Sequence, residues 1–461
     1  MVRGPNVFIL SVDSLPYWAF SEASEQLASM INGVNFTQAI APASFTSSAM
    51  PALATGSLTD QIPAWGLPKS GSPIPIAEVL EEEGYNCGLW TDNHLFGAAY
   101  NYDRGFSAGN LGQPGIKKRL SNSISKSPLN RFFWIFETAY FHIVEPLSSI
   151  RSGDSSFYRH ASELNELALD WLDNRPQNDL SFCWIHYMDT HHPYQPPSSY
   201  LDECTFSEAR SRSELGEFTR TAVKSNGKGL SDSDQNDLLT VFNACCRYIS
   251  DELARFIREL QERDYYNPDI DTLIVTADHG EVLERDKYGM LGHVPPAFWE
   301  DIVHVPLIVG LPNWEHTTVN EQVSLLDLKQ IVLQGADVID EFISPTDFGR
   351  PMAPFVSEWE ELDDGSITTY RGIRRDDGQK LFGAKREGED RILLTEVDSS
   401  GDDQVIAEIT PKIADQELPA CGGDLLSELA YYGDAIEFDT TPEDVAFDID
   451  ERHLRDLGYI E

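Results

Sequence analysis

Short, nearly continuous apolar segments recur along the chain, separated by longer stretches with the periodicity of helices. The segment Val7–Val12 is rich in β-branched residues and ends at Asp13, a pattern typical of a strand covered on both faces. Further buried strands are predicted at 87–91, 180–187, 272–277 and 304–310. Helices are predicted at 21–31, 46–56, 74–83, 157–172 and 237–262. The alternation predicts an α/β fold with a mostly parallel central sheet flanked by helices.

The composition changes near Phe348, and the rest of the chain is markedly acidic. Residues 351–461 contain 29 acidic and 10 basic residues. Short strands are predicted there at 354–358, 371–374 and 392–396. We therefore expect an α/β domain over residues 1–348 and a small acidic α+β subdomain over residues 349–461.

Two segments of the first domain interrupt the alternation. Residues 105–150 have the composition of an insertion, and the polar segment 205–234 is predicted to be mobile. Within the insertion, Phe132–Pro146 is aromatic and apolar, and is either an interfacial helix or a buried one. Its length favours the buried alternative. No window of about 18 uninterrupted apolar residues occurs, so no integral membrane segment is expected.

The charge of the chain narrows the choice of partners. The 461 residues carry a formal net charge of −42, which argues against nucleic acid because a phosphate backbone is bound by Lys and Arg clusters. With only 11 Lys against 23 Arg, the composition favours a protein adapted to concentrated salt, where screening removes the self-repulsion. An ordinary acidic enzyme is the alternative. A hydrophobic fraction of 41% is enough for a folded core.

The cysteines and the start of the chain bear on the compartment. The six cysteines show no paired spacing and no C-x-x-C motif, which predicts neither a disulfide framework nor a zinc site. The first residues lead directly into the strand at Val7–Val12, without the apolar region of a signal peptide. Together these features predict a reducing, cytoplasmic location.

Polar clusters follow three of the predicted strands. Asp13 ends the first strand, the segment Asp189–Tyr194 follows the strand at 180–187, and Asp278–Glu281 follows the strand at 272–277. Open parallel sheets carry their sites at the carboxyl ends of strands. Carboxylates and imidazoles converging there would bind a divalent cation, with Mg, Mn, Ca and Zn all compatible.

Thr46 stands at the predicted start of a helix. A structural interpretation is that its hydroxyl caps the helix, because Ser and Thr are favoured at that position. A functional interpretation uses the same geometry, since a helix N-terminus stabilises an anion and a hydroxyl beside a divalent metal can ionise and attack phosphorus or sulfur.

Taken in order, these segments resemble the sulfatase branch of the alkaline-phosphatase superfamily. The resemblance runs from Pro5 to Pro312, and the C-terminal HLRDLGYIE resembles the tail of haloarchaeal sulfatase-like proteins. The motifs that carry it are PNVFILSVDSL, TSSAMPALATG, GYNCGLW, MDTHHPYQPP and TADHGEVLE. The resemblance implies an α/β fold with a small C-terminal subdomain, and an ester hydrolase that uses one divalent metal ion.

The resemblance also implies roles for individual residues. Asp13, Asp278 and His279 match the family's metal ligands, and no D-x-x-x-H motif follows Asp189 to supply a second metal site. Thr46 matches the nucleophile, which also contacts the metal. The residues matching substrate contacts are His191 at the leaving-group oxygen, His293 at the anion, and His94 near the family's K-W-H-L segment.

Several positions depart from the family pattern. The second acid of the usual Asp-Asp pair is Ser14, the motif Arg is Met50, and Asp92 stands where the family has a Lys. With Thr46 in place of Cys or Ser, formylglycine cannot form. A Thr ester would have to be released by water attack on the phosphorus or sulfur atom.

Three functions remain open at this point. The first is hydrolysis of sulfate or phosphate esters, with a small anionic ester or a sulfated or phosphorylated glycan as substrate. The second is transfer of a phospho-substituent between headgroups or glycans. The third is a catalytically degenerate binding protein. The retained metal residues and His191 favour an enzyme.

Overall fold

The described part of the chain covers most of both expected domains. The apolar segment 132–146 and most of the expected insertion lie outside it. The computed structural model describes residues 4–63, 65–111, 156–176, 179–339, 342–360, 367–386, 388–410, 422–425 and 440–441.

A nine-stranded sheet forms the centre of the molecule. Its strands are β1 Val7–Val12, β2 Val34–Ile40, β3 Asn86–Thr91, β4 Ala108–Gly109, β5 Ser181–Tyr187, β6 Thr272–Ala277, β7 His304–Gly310, β8 Thr317–Val319 and β9 Val323–Ser324. They lie in the order β4-β3-β5-β1-β6-β7-β2-β8, with β9 also pairing with β2. Only β7 runs antiparallel to its neighbours β6 and β2. The sheet is therefore mostly parallel, as predicted.

Helices cover this sheet. They are α1 Ser21–Met30, α2 Thr46–Thr55, α3 Ile76–Glu82, α4 Ala161–Asp173, α5 Ser198–Leu201, α6 Arg212–Lys224, α7 Asp232–Glu262, α8 Arg285–Tyr288, α9 Glu300–Val303 and α10 Leu328–Gly335. Short 3₁₀ turns occur at Tyr17–Ala19, Thr59–Gln61, His94–Phe96, Ala98–Tyr100, Leu325–Asp327 and Pro345–Phe348. Not one of the described helices is both long enough and apolar enough to cross a bilayer.

The central strands are buried on both faces. Every residue of β1, β5 and β6 is buried, because helices lie over both sides of a parallel sheet. The strand β2 was missed by the sequence analysis, since Asn35, Thr37 and Gln38 interrupt its apolar pattern. It lies beside β7, where the partly solvated positions Thr37 and Gln38 are tolerated.

The segment expected to be mobile contains the helix α6, and its mobility stays a prediction. Ser211 and Glu214 form a capping box at its start. The Thr219 hydroxyl accepts a hydrogen bond from the Tyr194 backbone N–H at 3.0 Å. Polar composition hid the amphipathic face that buries Leu215 and Val223. The helix therefore covers the segment that carries His191.

A second, antiparallel sheet follows the large one. Its strands are β10 Met352–Glu360, β11 Ile367–Arg375, β12 Gln379–Arg386, β13 Glu389–Val397, β14 Asp403–Ile409 and β15 Thr440–Thr441. The order is β10-β11-β12-β13-β14, with β15 beside β11. The three strands predicted in this region lie within β10, β11 and β13, whereas β12 and β14 were missed. This sheet is the main element of the described C-terminal subdomain.

Candidate active site

The polar clusters meet at the carboxyl edge of the large sheet. The strands β5, β1 and β6 are adjacent and parallel, so the residues that follow them lie side by side. Two backbone bonds fix the loops: the Asp13 N–H donates to the Tyr187 carbonyl and the Leu15 N–H to the His279 carbonyl, each at 2.9 Å. Topology therefore brings together residues more than 250 positions apart.

Four side chains converge at this edge. The Thr46 Oγ1 lies 3.2 Å from both Asp13 Oδ2 and His279 Nε2. The His279 Nε2 is 3.8 Å from Asp13 Oδ1 and 3.5 Å from Asp278 Oδ2. All four residues have zero solvent exposure. These are the residues for which the resemblance implies metal contact, and that role remains a prediction.

Thr46 is placed by α2 but does not cap it. Phe45 occupies the N-cap position, and no side-chain cap hydrogen bond forms there. Thr46 is the first helical residue, and its hydroxyl turns to Asp13 and His279. The capping interpretation of Thr46 is therefore wrong, and the hydroxyl belongs to the polar cluster.

The pKa values of the two carboxylates of the cluster shift in opposite directions. Burial and the nearby Asp13 charge raise the pKa of Asp278 to about 8. Burial acts on Asp13 in the same direction, but His191, His186 and His279 favour its ionised form and hold its pKa well below its usual range. Two buried carboxylates this close repel each other unless a cation lies between them.

The arrangement fits a divalent cation. Asp278 Oδ2 is buried and has no hydrogen-bond partner among the described residues. His279 Nδ1 lies 2.9 Å from the Gly280 carbonyl, so this nitrogen carries the proton and Nε2 offers a lone pair to the cluster. Two carboxylates, one imidazole and a hydroxyl form a donor set suited to Mg, Mn, Ca or Zn.

A row of histidine rings extends from this cluster. The His279 ring lies 4.5 Å from that of His293, which lies 5.7 Å from that of His191. His191 stacks on His192 at 4.4 Å. Burial lowers the pKa of His191, His279 and His293 to about 4, so these rings are neutral near pH 7.

His191 presents one nitrogen to the interior. Its Nδ1 lies 2.6 Å from the His192 carbonyl and therefore carries the proton of the neutral ring. Its Nε2 is buried without a partner among the described residues. His293 Nδ1 lies 3.1 Å from Glu281 Oε2, and burial raises the pKa of that carboxyl to about 7. Because the Nδ1 of His191 already carries its proton and its Nε2 is free of a described partner, His191 can accept a second proton at Nε2 and return it.

His94 and its neighbour Asn93 point in different directions. The Asn93 Nδ2 donates to Asp13 Oδ2 at 2.7 Å, so Asn93 belongs to the cluster. The His94 ring instead packs edge-on against Tyr100, with the ring centres 5.4 Å apart. The substrate contact expected of His94 remains a prediction.

Sequence reasoning missed His186 as well as Asn93. His186 Nε2 lies 3.3 Å from Asp13 Oδ2, and with Asp13 and Asp278 it forms a group of three ligand atoms within 4.8 Å of one another. Its position inside an apolar strand concealed it. The available signal was that a buried imidazole needs polar partners.

The residues that depart from the family pattern are Ser14, Met50 and Asp92, and each has a defined environment in the structure. The Ser14 hydroxyl donates to Asp13 Oδ1 at 2.9 Å, so it supports the carboxylate rather than adding one. Asp92 forms an ion pair with Arg159 at 2.6 Å. Met50 is fully buried. The positions that the resemblance matches to a family Arg and Lys, 50 and 92, thus carry a buried apolar side chain and an ion-paired acid.

Comparison with known proteins identifies the family of the chain. The family model described as Sulfatase matches residues 5–338. The uncharacterized sulfatase YidJ of Escherichia coli (strain K12) is 26% identical over 196 residues, or 40% of this chain. The matched part is 37% of that relative's length. The chain belongs to the sulfatase family, which comprises ester hydrolases.

Solved structures share the fold. The phosphonate monoester hydrolase of Agrobacterium radiobacter has a TM-score of 0.60 and 16% identity, covering 93% of this chain and 95% of that one. The corresponding enzyme of Silicibacter pomeroyi has the same score and identity over 93% and 94%. A structure in complex with its substrate D-glucosamine-2-N,6-O-disulfate has a TM-score of 0.63 and 14% identity over 93% and 97%. At these identities the similarity establishes the α/β fold with its C-terminal subdomain.

Proposed function

We propose that this protein is a metal-dependent hydrolase of sulfate- or phosphate-type esters in which Thr46 is the nucleophile. The observation that carries the proposal is the position of the Thr46 hydroxyl, 3.2 Å from both Asp13 Oδ2 and His279 Nε2. Membership of the sulfatase family supports the reaction class. The Thr in this position excludes formylglycine.

One divalent ion would be held by Asp13, Asp278, His279 and the Thr46 hydroxyl. When bound, such an ion lowers the pKa of a coordinated hydroxyl and neutralises charge on the transferred group. Asp278 Oδ2 is buried without a hydrogen-bond partner among the described residues, which supports this assignment because burying an unsatisfied carboxylate oxygen is costly.

In the first step Thr46 Oγ1 bonds to the phosphorus or sulfur atom, and the bond to the leaving-group oxygen breaks. The hydroxyl proton has an acceptor within the cluster, since Asp13 Oδ2 is 3.2 Å away. The departing oxygen takes a proton from His191 Nε2, so the reacting form is the doubly protonated ring, and the second step returns that proton. The products are the free alcohol and a Thr46 ester.

In the second step water attacks the phosphorus or sulfur atom of the Thr46 ester. His191 Nε2 accepts a proton from that water, and Thr46 Oγ1 recovers its own as it leaves. A formylglycine hydrate could release sulfate by breaking its own C–O bond, but the saturated Cβ of Thr46 cannot. Water attack therefore restores the free Thr46 hydroxyl and releases the acid, which keeps the oxygen of the water.

The replaced cations suggest the charge of the substrate. With Met50 and Asp92 where the family has Arg and Lys, the site has less positive charge to offer a dianion. A singly charged ester, such as a sulfate monoester, phosphodiester or phosphonate monoester, fits better than a phosphate monoester. Phosphonate monoester hydrolases and a protein bound to its substrate D-glucosamine-2-N,6-O-disulfate are among the similar structures, which supports such substrates. A sulfated or phosphorylated glycan remains within this class.

The proposal is tested by a screen of aryl esters with varied divalent metals. The net charge of −42 and the low Lys content support a salt-adapted protein, so the assays include molar KCl. We expect turnover of aryl sulfate, bis-aryl phosphate or aryl phosphonate ester above that of the aryl phosphate monoester, and its loss with EDTA. A metal-loaded chain inert to every ester would instead favour the binding-protein alternative. Alcohol-dependent formation of a new ester would favour the transferase.

A further inference from the structure

His186 lies one residue layer beneath the candidate active site. Alternation along a strand places Ser11 and Asp13 on one face of β1, and Trp184 and His186 on one face of β5. The strand register pairs Ser11 directly with His186. His186 has zero solvent exposure. The parallel pairing therefore sets its ring between Ser11 and the carboxylate of Asp13.

A chain of hydrogen bonds runs through these residues. Trp184 Nε1 can only donate, and it does so to Ser11 Oγ at 2.9 Å. The hydroxyl proton of Ser11 has two possible acceptors, His186 Nδ1 at 2.9 Å and the Ile185 carbonyl at 3.5 Å. The shorter contact is the better hydrogen bond, so His186 Nδ1 is the acceptor. In the neutral ring the proton then resides on Nε2.

This proton position decides what His186 can do. Its Nε2 lies 3.3 Å from Asp13 Oδ2, close enough to donate a hydrogen bond to it. A metal ligand needs a free lone pair on the coordinating nitrogen, and Nε2 carries a proton instead. His279 has the opposite arrangement, because its Nδ1 bonds to the Gly280 carbonyl and its Nε2 is free.

We infer that His186 is a positioning residue that donates from Nε2 to Asp13 and does not ligate the metal. The inference rests on the metal site of the proposed function. Its location alone would also allow a ligand role, since its nitrogen lies within 4.8 Å of ligand atoms on Asp13 and Asp278. The hydrogen bonds from Trp184 to Ser11 and from Ser11 to His186 Nδ1 distinguish the two roles, because they leave the ring proton on Nε2.

Both oxygens of the Asp13 carboxylate accept hydrogen bonds, so its orientation is fixed. Asp13 Oδ2 accepts from Asn93 at 2.7 Å as well as from His186, and Asp13 Oδ1 accepts from Ser14 at 2.9 Å. The Phe96 ring packs edge-on against His186 with ring centres 5.6 Å apart, which restricts the imidazole. Removing a residue that hydrogen-bonds to a metal ligand typically weakens metal binding by about 10–100-fold.

The test measures Mn²⁺ affinity by calorimetry and nitrogen coordination by electron spin echo modulation of the Mn²⁺-loaded protein. The His186→Ala variant should bind Mn²⁺ about 10–100-fold more weakly than wild type. The His186→Gln variant should recover most of the affinity, because its amide N–H can replace the Nε2 donor. Both variants should keep the modulation of one bound imidazole, that of His279.

His304→Ala is the matched control, since His304 is another histidine in the large sheet that bonds to the Thr37 carbonyl away from the cluster. It should leave Mn²⁺ affinity unchanged. Loss of a second nitrogen signal in His186→Ala, or unchanged affinity in that variant, would overturn the inference while leaving the metal site in place. A wild-type protein that binds no divalent ion would overturn the metal site and the inference with it. Normal Mn²⁺ binding without ester turnover would count only against the proposed hydrolysis.

Discussion

The two sheets of the molecule place polar groups in opposite ways. In the large sheet, the strands β1, β5 and β6 are buried throughout, and their functional side chains lie at or just below the carboxyl edge. In the small sheet, β14 exposes three consecutive residues, 404–406, of which Val405 and Ile406 are 45% and 44% exposed. A sheet covered on both faces can bury a charged cluster at its edge, whereas a partly solvated sheet buries charge only where another element covers it.

The small sheet contributes by holding the segment that carries Thr46. The Val356 N–H donates to the Pro42 carbonyl at 2.8 Å, and the Ser44 N–H donates to Ser357 Oγ at 2.9 Å. The Glu358 N–H donates to Ser48 Oγ at 3.1 Å. These bonds fix the chain on either side of Thr46. The comparison teaches that the large sheet supplies the polar cluster, whereas the small sheet supports the backbone on both sides of Thr46.

A buried ionic network also joins the two sheets. Glu300, at the start of α9, bonds to Arg374 of β11 at 2.7 Å and lies 3.1 Å from Lys380 of β12. Lys380 also lies 2.8 Å from Asp403 of β14. Every member is buried. Contacts of this kind are costly to break because a lone buried charge remains.

The largest expected effect is on kcat and comes from a substitution in the polar cluster at the edge of the large sheet. Thr46→Ala should lower kcat by at least about 10⁴-fold, since removing a nucleophile removes the covalent pathway. Steady-state kinetics on the best aryl ester measure the loss, and circular dichroism checks the fold. Ser47→Ala is the matched control, because one residue turns a helical side chain by about 100° away from the cluster. Equal turnover by Thr46→Ala and wild type would remove the covalent mechanism.

The next effect concerns the junction between the sheets. Glu300→Gln removes a charge from the buried network and should lower the free energy of unfolding by about 3–5 kcal/mol. Urea unfolding measures it, with the exposed Glu315→Gln as a control expected to change stability by less than about 0.5 kcal/mol. A change as small as that of the control would mean that the network does not hold the sheets together.

Acid should weaken the same junction in a defined direction. Burial opposes the charge of Glu300, but Lys380 and Arg374 outweigh it and lower the pKa to about 2, against about 4.3 in an unfolded chain. The stability from this carboxylate is therefore present above about pH 4.3 and is lost as the pH falls through about 2. The stability gap between wild type and Glu300→Gln should shrink over that range. A gap independent of pH would contradict the charged form of Glu300.

The smallest expected effect tests the support of the nucleophile segment. Ser357→Ala leaves the buried Ser44 N–H without its acceptor and should cost about 1–3 kcal/mol of stability. Because Ser44 lies two residues before Thr46, kcat should fall a few-fold while KM changes little. Thermal melts and kinetics measure both, with the exposed Ser400→Ala as control. Unchanged kinetics would limit the small sheet to a stabilising role.

Local pattern was enough to predict most of the large sheet. Segments such as Val7–Val12 are apolar at consecutive positions, and burying them on both faces is their lowest-energy arrangement. The strand β2 and the helix α6 escaped prediction because their polar residues satisfy contacts with distant segments. For α6 such a contact is Thr219 with Tyr194, and for β2 it is Thr37 with Asn320.

The sequence by itself determined the order of the elements and the residue types at the strand ends, including Asp13 and Asp278. The tertiary structure alone decided which groups share a proton or a charge. Burial and the neighbouring carboxylate raise the pKa of Asp278 to about 8, and Ser11 sets which nitrogen of His186 faces Asp13. Desolvation and hydrogen bonds act over a few ångströms, so they depend on neighbours that folding brings together from far along the chain.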